Sequence, residues 1–400
     1  MKKTLTPLIA GLASLAGVAA WTPAHAQTTQ TTANPDAPAP MTTPPPRRGA
    51  PTPLGTAQDL AALASITAPS SVTLYGLLDN GVVRISDVGS GGSTQLRSGN
   101  LLSSRFGVRG IEDLGGGLRA IFNLEAGVSA DTGATSTPFF NRQSWVGLNS
   151  SSFGEITMGR MLPTISDIFI TSVQATYFGN PTATLDGAAV GAGSSAARFN
   201  NMLGGTRVDN AIKYQSSSMS GFRVHAMTAF GEVPGSSSAG RMMSLGGSYN
   251  SENIEAGLGY HEKQCTGASG CAAGEAKDKV FGVGAAYKLN GARYAVIYTN
   301  QKNALNKDGV NGNVLSVMAR VPVGSWVLAA GYQFLNDKTA LNQDIGQVNL
   351  GANYLLSKRT RLYALYNHQS VKNGGKAGMY SVTSSKDKQT QFSLGIVHTF

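Results

Sequence analysis

Over residues 71–85, SVTLYGLLDNGVVRI, the chain alternates. One row is Val72, Leu74, Gly76, Leu78 and Val82, and the row between holds Thr73, Tyr75, Leu77 and Asp79. Side chains that change face at every residue define a strand, because the pleat has period two. The same texture predicts strands at 103–111, 118–128, 142–149, 155–160, 209–215, 222–230, 242–249 and 254–261. It continues at 280–289, 294–300, 314–321, 326–335, 347–354, 361–368 and 391–400, sixteen in all. The connections alternate in length. Short ones (114–117, 150–154, 216–221, 250–253, 290–291, 322–325, 357–358) interleave with long polar ones (86–100, 129–140, 161–206, 262–279, 301–313, 370–388). That rhythm implies an all-β, transmembrane, antiparallel up-and-down β-barrel, with turns at one rim, loops at the other and no unpaired backbone in lipid.

The last strand carries Phe392, Leu394, Ile396, His398 and Phe400 on one row, so an aromatic ends the chain. Aromatic side chains favour the bilayer interface. Ahead of the barrel, Lys2 and Lys3 precede an apolar run at 8–20, and Ala24-His25-Ala26 supplies a small-x-small cleavage pattern, so residues 1–26 read as a secretory signal peptide. Residues 27–70 are rich in Pro, Thr and Ala and read as a mostly disordered periplasmic linker. The barrel domain is 71–400.

Composition narrows the classes further. Past residue 26 no run of about 18 uncharged apolar residues appears, which excludes a helical membrane protein. Residues 71–400 hold 28 basic against 20 acidic side chains, an excess of +8. In an exported protein this excess suits an acidic lipid surface or an aqueous path for anions rather than nucleic acid, and charge alone does not choose between the two. No catalytic set assembles: five histidines occur, one in the signal and one on the lipid-facing row, and no G-x-S-x-G is found. GAAVGAG at 187–193 lacks the Gly-Lys-Ser/Thr ending of a phosphate loop. No enzymatic activity and no cofactor are expected. Cys265 and Cys271 fall in one long connection, and in an oxidising compartment a single disulfide is the simplest account. A metal site there would have only His261 and Glu262 to add, and a redox motif wants tighter spacing.

Parity nominates the inner wall. If Phe106 and Val108 face lipid, Arg105 and Arg109 face inward; if Leu118, Ala120 and Phe122 face out, Arg119, Asn123 and Glu125 point in; if Trp145 faces out, Arg142 points in. Charges on a narrow, low-dielectric wall focus a field across the path, and arginine keeps its charge.

Several stretches resemble the Gram-negative general porins of the trimeric, β-proteobacterial type. They are SVTLYG at 71–76, SRFGVRGIEDLGGGLRAIFNLEAG at 104–127, NRQSWVGLNSSSFGEITMGR at 141–160, RVDNAIKYQS at 207–216 and the closing strand. The resemblance implies a water-filled channel for passive diffusion of small hydrophilic solutes and ions, and an arginine cluster at Arg105, Arg142 and Arg207 with Arg160 at the start of a third loop, 161–206, folded into the lumen. It implies Asp167, and by a weaker match Asp186, as loop acids; Arg119 is a further wall candidate by parity alone. Few acids in that loop point to a weak anion preference. Resemblance also implies a homotrimer in outer-membrane lipid and lipopolysaccharide, with Phe400 read by the barrel assembly machinery. The rival reading is a structural or adhesive surface barrel with a closed lumen.

Overall fold

A computed structural model describes residues 70–169, 198–201, 206–266, 276–380 and 382–400. The signal and linker readings, apart from Ser70, lie outside these, as do Asp186 and Cys271. Sixteen wall strands follow the predicted order. The first eight are β1 Ser71–Ser86, β2 Arg105–Gly115, β3 Leu118–Ser129, β4 Gln143–Ser150, β5 Gly154–Met161, β6 Val208–Gln215, β7 Phe222–Ala229 and β8 Met242–Asn250. Then come β9 Ile254–Lys263, β10 Asp278–Leu289, β11 Ala292–Lys302, β12 Gly312–Val323, β13 Trp326–Asp337, β14 Ile345–Leu355, β15 Thr360–Val371 and β16 Lys388–Thr399. Each pairs antiparallel with the next, and β1 pairs β16 from Leu77↔Thr399 to Ile85↔Gln391, which closes the cylinder. Closure is what lets a sheet stand in hydrocarbon, since it leaves no edge unpaired.

Faces separate as alternation requires. Leu74 is 64 % exposed while Tyr75 and Leu77 turn inward, and the outward rows carry Leu, Val, Ile and aromatic side chains all round the wall. At the short-turn end the outward aromatics pair across strands: Phe222 with Tyr249 (ring centroids 4.5 Å apart) and Trp326 with Tyr354 (4.9 Å). Such a girdle seats at a membrane–water interface. Phe400 completes it; its ring lies over Gly76, where a Cβ would sit 2.2 Å from the ring, and the two residues exchange backbone hydrogen bonds of 3.1 Å.

Two features depart from the sequence reading. The first long connection is not a plain loop. Beyond Leu77 the place beside β1 passes from β2 to a short strand, Gly92–Ser98, registered from Asn80↔Ser98 to Ser86↔Gly92. The excursion that follows is pinned by Asp79, whose Oδ2 accepts the backbone N–H groups of Leu101 and Leu102 (2.7 Å each) while Oδ1 accepts the Tyr363 hydroxyl (2.6 Å). The second departure is that the inner face is not polar throughout. Ala295, Ile297, Met318, Val327 and Ala329 face inward on β11–β13 and form a buried cluster with Ile165, Ile168 and Phe169 from the connection after β5. Missing side chains make the seat: a Cβ at Gly246 or Gly257 would lie within 2.4 Å of Ile168, and one at Gly282 2.7 Å from Phe169.

Candidate functional site: the inner wall

Arg142 sits just ahead of β4, and its Nε donates to Glu125 Oε1 at 2.7 Å. Glu125 points inward from β3, and the Tyr75 hydroxyl directs its proton between Glu125 Oε2 (3.0 Å) and Asn123 Oδ1 (2.9 Å). Arg109 lies over the Tyr75 ring at 5.0 Å, a cation–π contact that fixes both. Arg207, one residue ahead of β6, donates from Nε to the Arg142 carbonyl at 3.3 Å. Arg160 donates from Nε to the Asn141 carbonyl (2.7 Å) and pairs with Asp209. Burial first, then the fields of Arg142, Arg105 and Arg160, push the Arg207 guanidinium down to about 9, with Glu125 acting against them. At neutral pH Arg207 therefore stays charged. Four guanidiniums thus gather around two carboxylates, Glu125 and Asp209.

The geometry sorts the candidates. Arg105, Arg142, Arg160 and Arg207 come together. Arg119 does not: it faces inward opposite Asn149 near the short turns, six residues and about 20 Å along β3 from Glu125. Asp167 is held on β6, where its Oδ2 accepts from Lys213 Nζ at 2.6 Å. Asp186 lies outside the described residues. Cys265 is disulfide-bonded, and the only other cysteine, Cys271, is not among the described residues.

Trp145 overturns its expected orientation. It is 9 % exposed, faces inward with Asn123 as its register partner, and packs with Met161, Ala211 and Met227, while Val146 (61 % exposed) faces out. A large aromatic suggested lipid; the apolar inner patch decided otherwise. Arg142 nevertheless points in, because it precedes the regular strand and is not bound by its parity. Glu125, Tyr75 and Lys213 are the partners that sequence alone did not assign. Glu125 was on the inward row, but its pairing needed the strand register.

Part of the opposite inner arc is neutral, although the buried pair Arg293–Glu255 and Arg361 also carry charge inward on β11, β9 and β15. Gln369 donates to Gln347 (2.8 Å), Gln347 and Asn367 donate to Asn349 (2.8 and 2.7 Å), and Asn349 donates to Gln333 (2.9 Å), a carboxamide ladder across β13–β15. The connection after β5 reaches the far side as well: Arg198 Nη2 pairs with Asp337 Oδ2 at 2.6 Å on β13, and Phe199 packs against Gly312 on β12.

A closed antiparallel cylinder, greased outside and carrying a charged cluster inside, defines the class of outer-membrane β-barrel channels. The family model described as Gram-negative porin matches residues 50–374, and the chain belongs to that family. Outer membrane porin protein 32 of Delftia acidovorans is 32 % identical over 352 residues, covering 85 % of this chain and 97 % of that one. An outer membrane porin of Bordetella pertussis is 27 % identical over 390 residues, covering 83 % and 95 %. Among solved structures, the anion-selective porin from Comamonas acidovorans superposes with a TM-score of 0.69 at 27 % identity, covering 83 % of this chain and all of that one. The protein is a porin of the Gram-negative outer membrane, a channel for passive diffusion.

Proposed function

We propose that this porin carries small hydrophilic solutes with a weak preference for anions, and that Arg105, Arg142, Arg160 and Arg207 supply the bias. The observation that carries the reading is their convergence around two carboxylates among the described residues. An anion entering this field loses less on leaving bulk water than a cation of the same size, because low-dielectric walls confine the field to the path. The anion selectivity named for the similar Comamonas protein supports the same sign. The connection 161–206 narrows the path from within; its described ends pack on the inner faces of β8–β11 and β12–β13, which favours a course across the interior. Residues 1–26 direct export, Phe400 is read by the barrel assembly machinery, and the mature barrel works as a homotrimer in contact with lipopolysaccharide. The test is solute uptake by proteoliposomes. Size-matched anionic, neutral and cationic solutes should enter in that order of rate; equal rates, or faster cation entry, would overturn the preference.

A further inference from the structure

The outward face of β9–β11 is ordered in rungs. Nearest the long loops, Glu262, Lys279 and Lys302 are direct register partners across the three strands. The next rung toward the membrane is Tyr260, Phe281 and Asn300, and below it Leu258, Val283 and Tyr298. All lie on the outer rows, with Phe281, Val283 and Leu258 well exposed. A cationic rung thus stands about 7 Å above an aromatic one and about 14 Å above aliphatic side chains, the order in which a bilayer presents headgroup, interface and hydrocarbon.

The charges in that rung do not balance. Lys277 Nζ takes Glu262 Oε1 at 2.6 Å, and Lys279 Nζ is left 3.7 Å from Glu262 Oε2. Lys302, opposite Lys279, has no acidic partner among the described residues. Like charges directly opposed in a sheet are unfavourable, and a multivalent anion bridging them removes that penalty. Among the described residues, three ammoniums around one carboxylate leave an excess of +2 at the headgroup level of the outer rim.

We propose that Lys279 and Lys302, with Lys277 beside them, form a site for the phosphates of a phosphorylated glycolipid in the outer leaflet, its acyl chains lying along Phe281, Val283 and Leu258. This names the residues behind the lipopolysaccharide contact and rests on that reading. A free phosphate lacks the chains to cover the apolar rungs, so the lipid is the occupant.

The test compares binding of bisphosphorylated and dephosphorylated lipid A to intact protein in nanodiscs by native mass spectrometry. Wild type, the double variant K279Q/K302Q and the control K338Q, altered on another loop, are measured side by side. Heat-modifiable gel mobility verifies folding, and single-channel conductance is recorded in parallel. The double variant should bind the bisphosphorylated lipid about tenfold more weakly with conductance unchanged, K338Q should bind as wild type, and the dephosphorylated lipid should bind weakly to all three. Equal binding by the double variant, equal binding of the dephosphorylated lipid to wild type, or the same loss in K338Q would overturn the site. Absent conductance in wild type would instead overturn the channel, leaving the lipid result to be read on its own.

Discussion

Arg142 and Glu125 neutralise each other in part: the guanidinium Nε is 2.7 Å from the carboxylate, and both side chains are turned to the interior. The pair sets how the wall responds to substitution. Glu125→Gln releases Arg142 and should raise the anion-to-cation permeability ratio by about twofold. Arg142→Ala leaves Glu125 facing Arg105 with less compensation and should lower the ratio by a similar factor. Bi-ionic potential recordings on both variants measure the change. Shifts of the same sign in the two would contradict the assignment.

The seat of Phe400 on Gly76 closes the barrel at its last residue. Gly76→Val puts branched carbon where the ring lies and should cost about 1–3 kcal/mol by overpacking. The variant should lose its compact gel band at a lower temperature than wild type, and the ring-shortening variant Phe400→Ala should restore part of that loss when combined with it.

Phe169 holds the connection after β5 to the inner wall, fully buried beside Gly282 and Gly284. Phe169→Ala opens a cavity, and about 3–5 kcal/mol of local packing is lost. Open-state current should become noisier, with more frequent brief closures, while the compact gel band persists. Current as quiet as wild type would place the anchoring elsewhere.

Outside the strands, Asp87 accepts from Lys386, and that hydrogen bond holds its carboxyl below the usual carboxylate range. A depressed folded pKa means a contribution present above the unfolded value of about 4 and lost as pH falls through the folded one. The contact ties the connection after β1 to the one before β16, helped by Ser384 and Ser385 donating to the Asp87 carbonyl. Hydrogen exchange at 382–388, corrected for the intrinsic pH dependence, should be steady from pH 5 to 8 and rise below about 4. Asp87→Asn should show the higher exchange across the whole range.

The sixteen strands were legible because alternation survives even where single residues mislead, and the long and short connections gave the sense of each hairpin. The errors have one physical source. Parity says which residues share a face, not which face is covered, so Trp145 was turned toward lipid although a patch inside the barrel buries it. The same blindness hid the apolar inner rows of β11–β13, because Ala295 or Val327 reads alike whether it meets lipid or a folded-in segment. Parity places Arg142 inward only on the premise of an outward Trp145, which fails; Arg142 points in because it lies outside its strand, as the family resemblance independently implies. The pairings Arg142–Glu125 and Lys213–Asp167 join residues 17 and 46 positions apart, and only strand register brings them within reach.

The central claim is an open aqueous path whose fixed charge favours anions. Its most direct test is the zero-current potential of the purified protein in a planar bilayer under a tenfold potassium chloride gradient. The account predicts stepwise insertions and a potential of the sign given by excess chloride flux, reduced in Arg105→Ala/Arg142→Ala. No steps, or a potential of the cation sign that these substitutions leave unmoved, would contradict it.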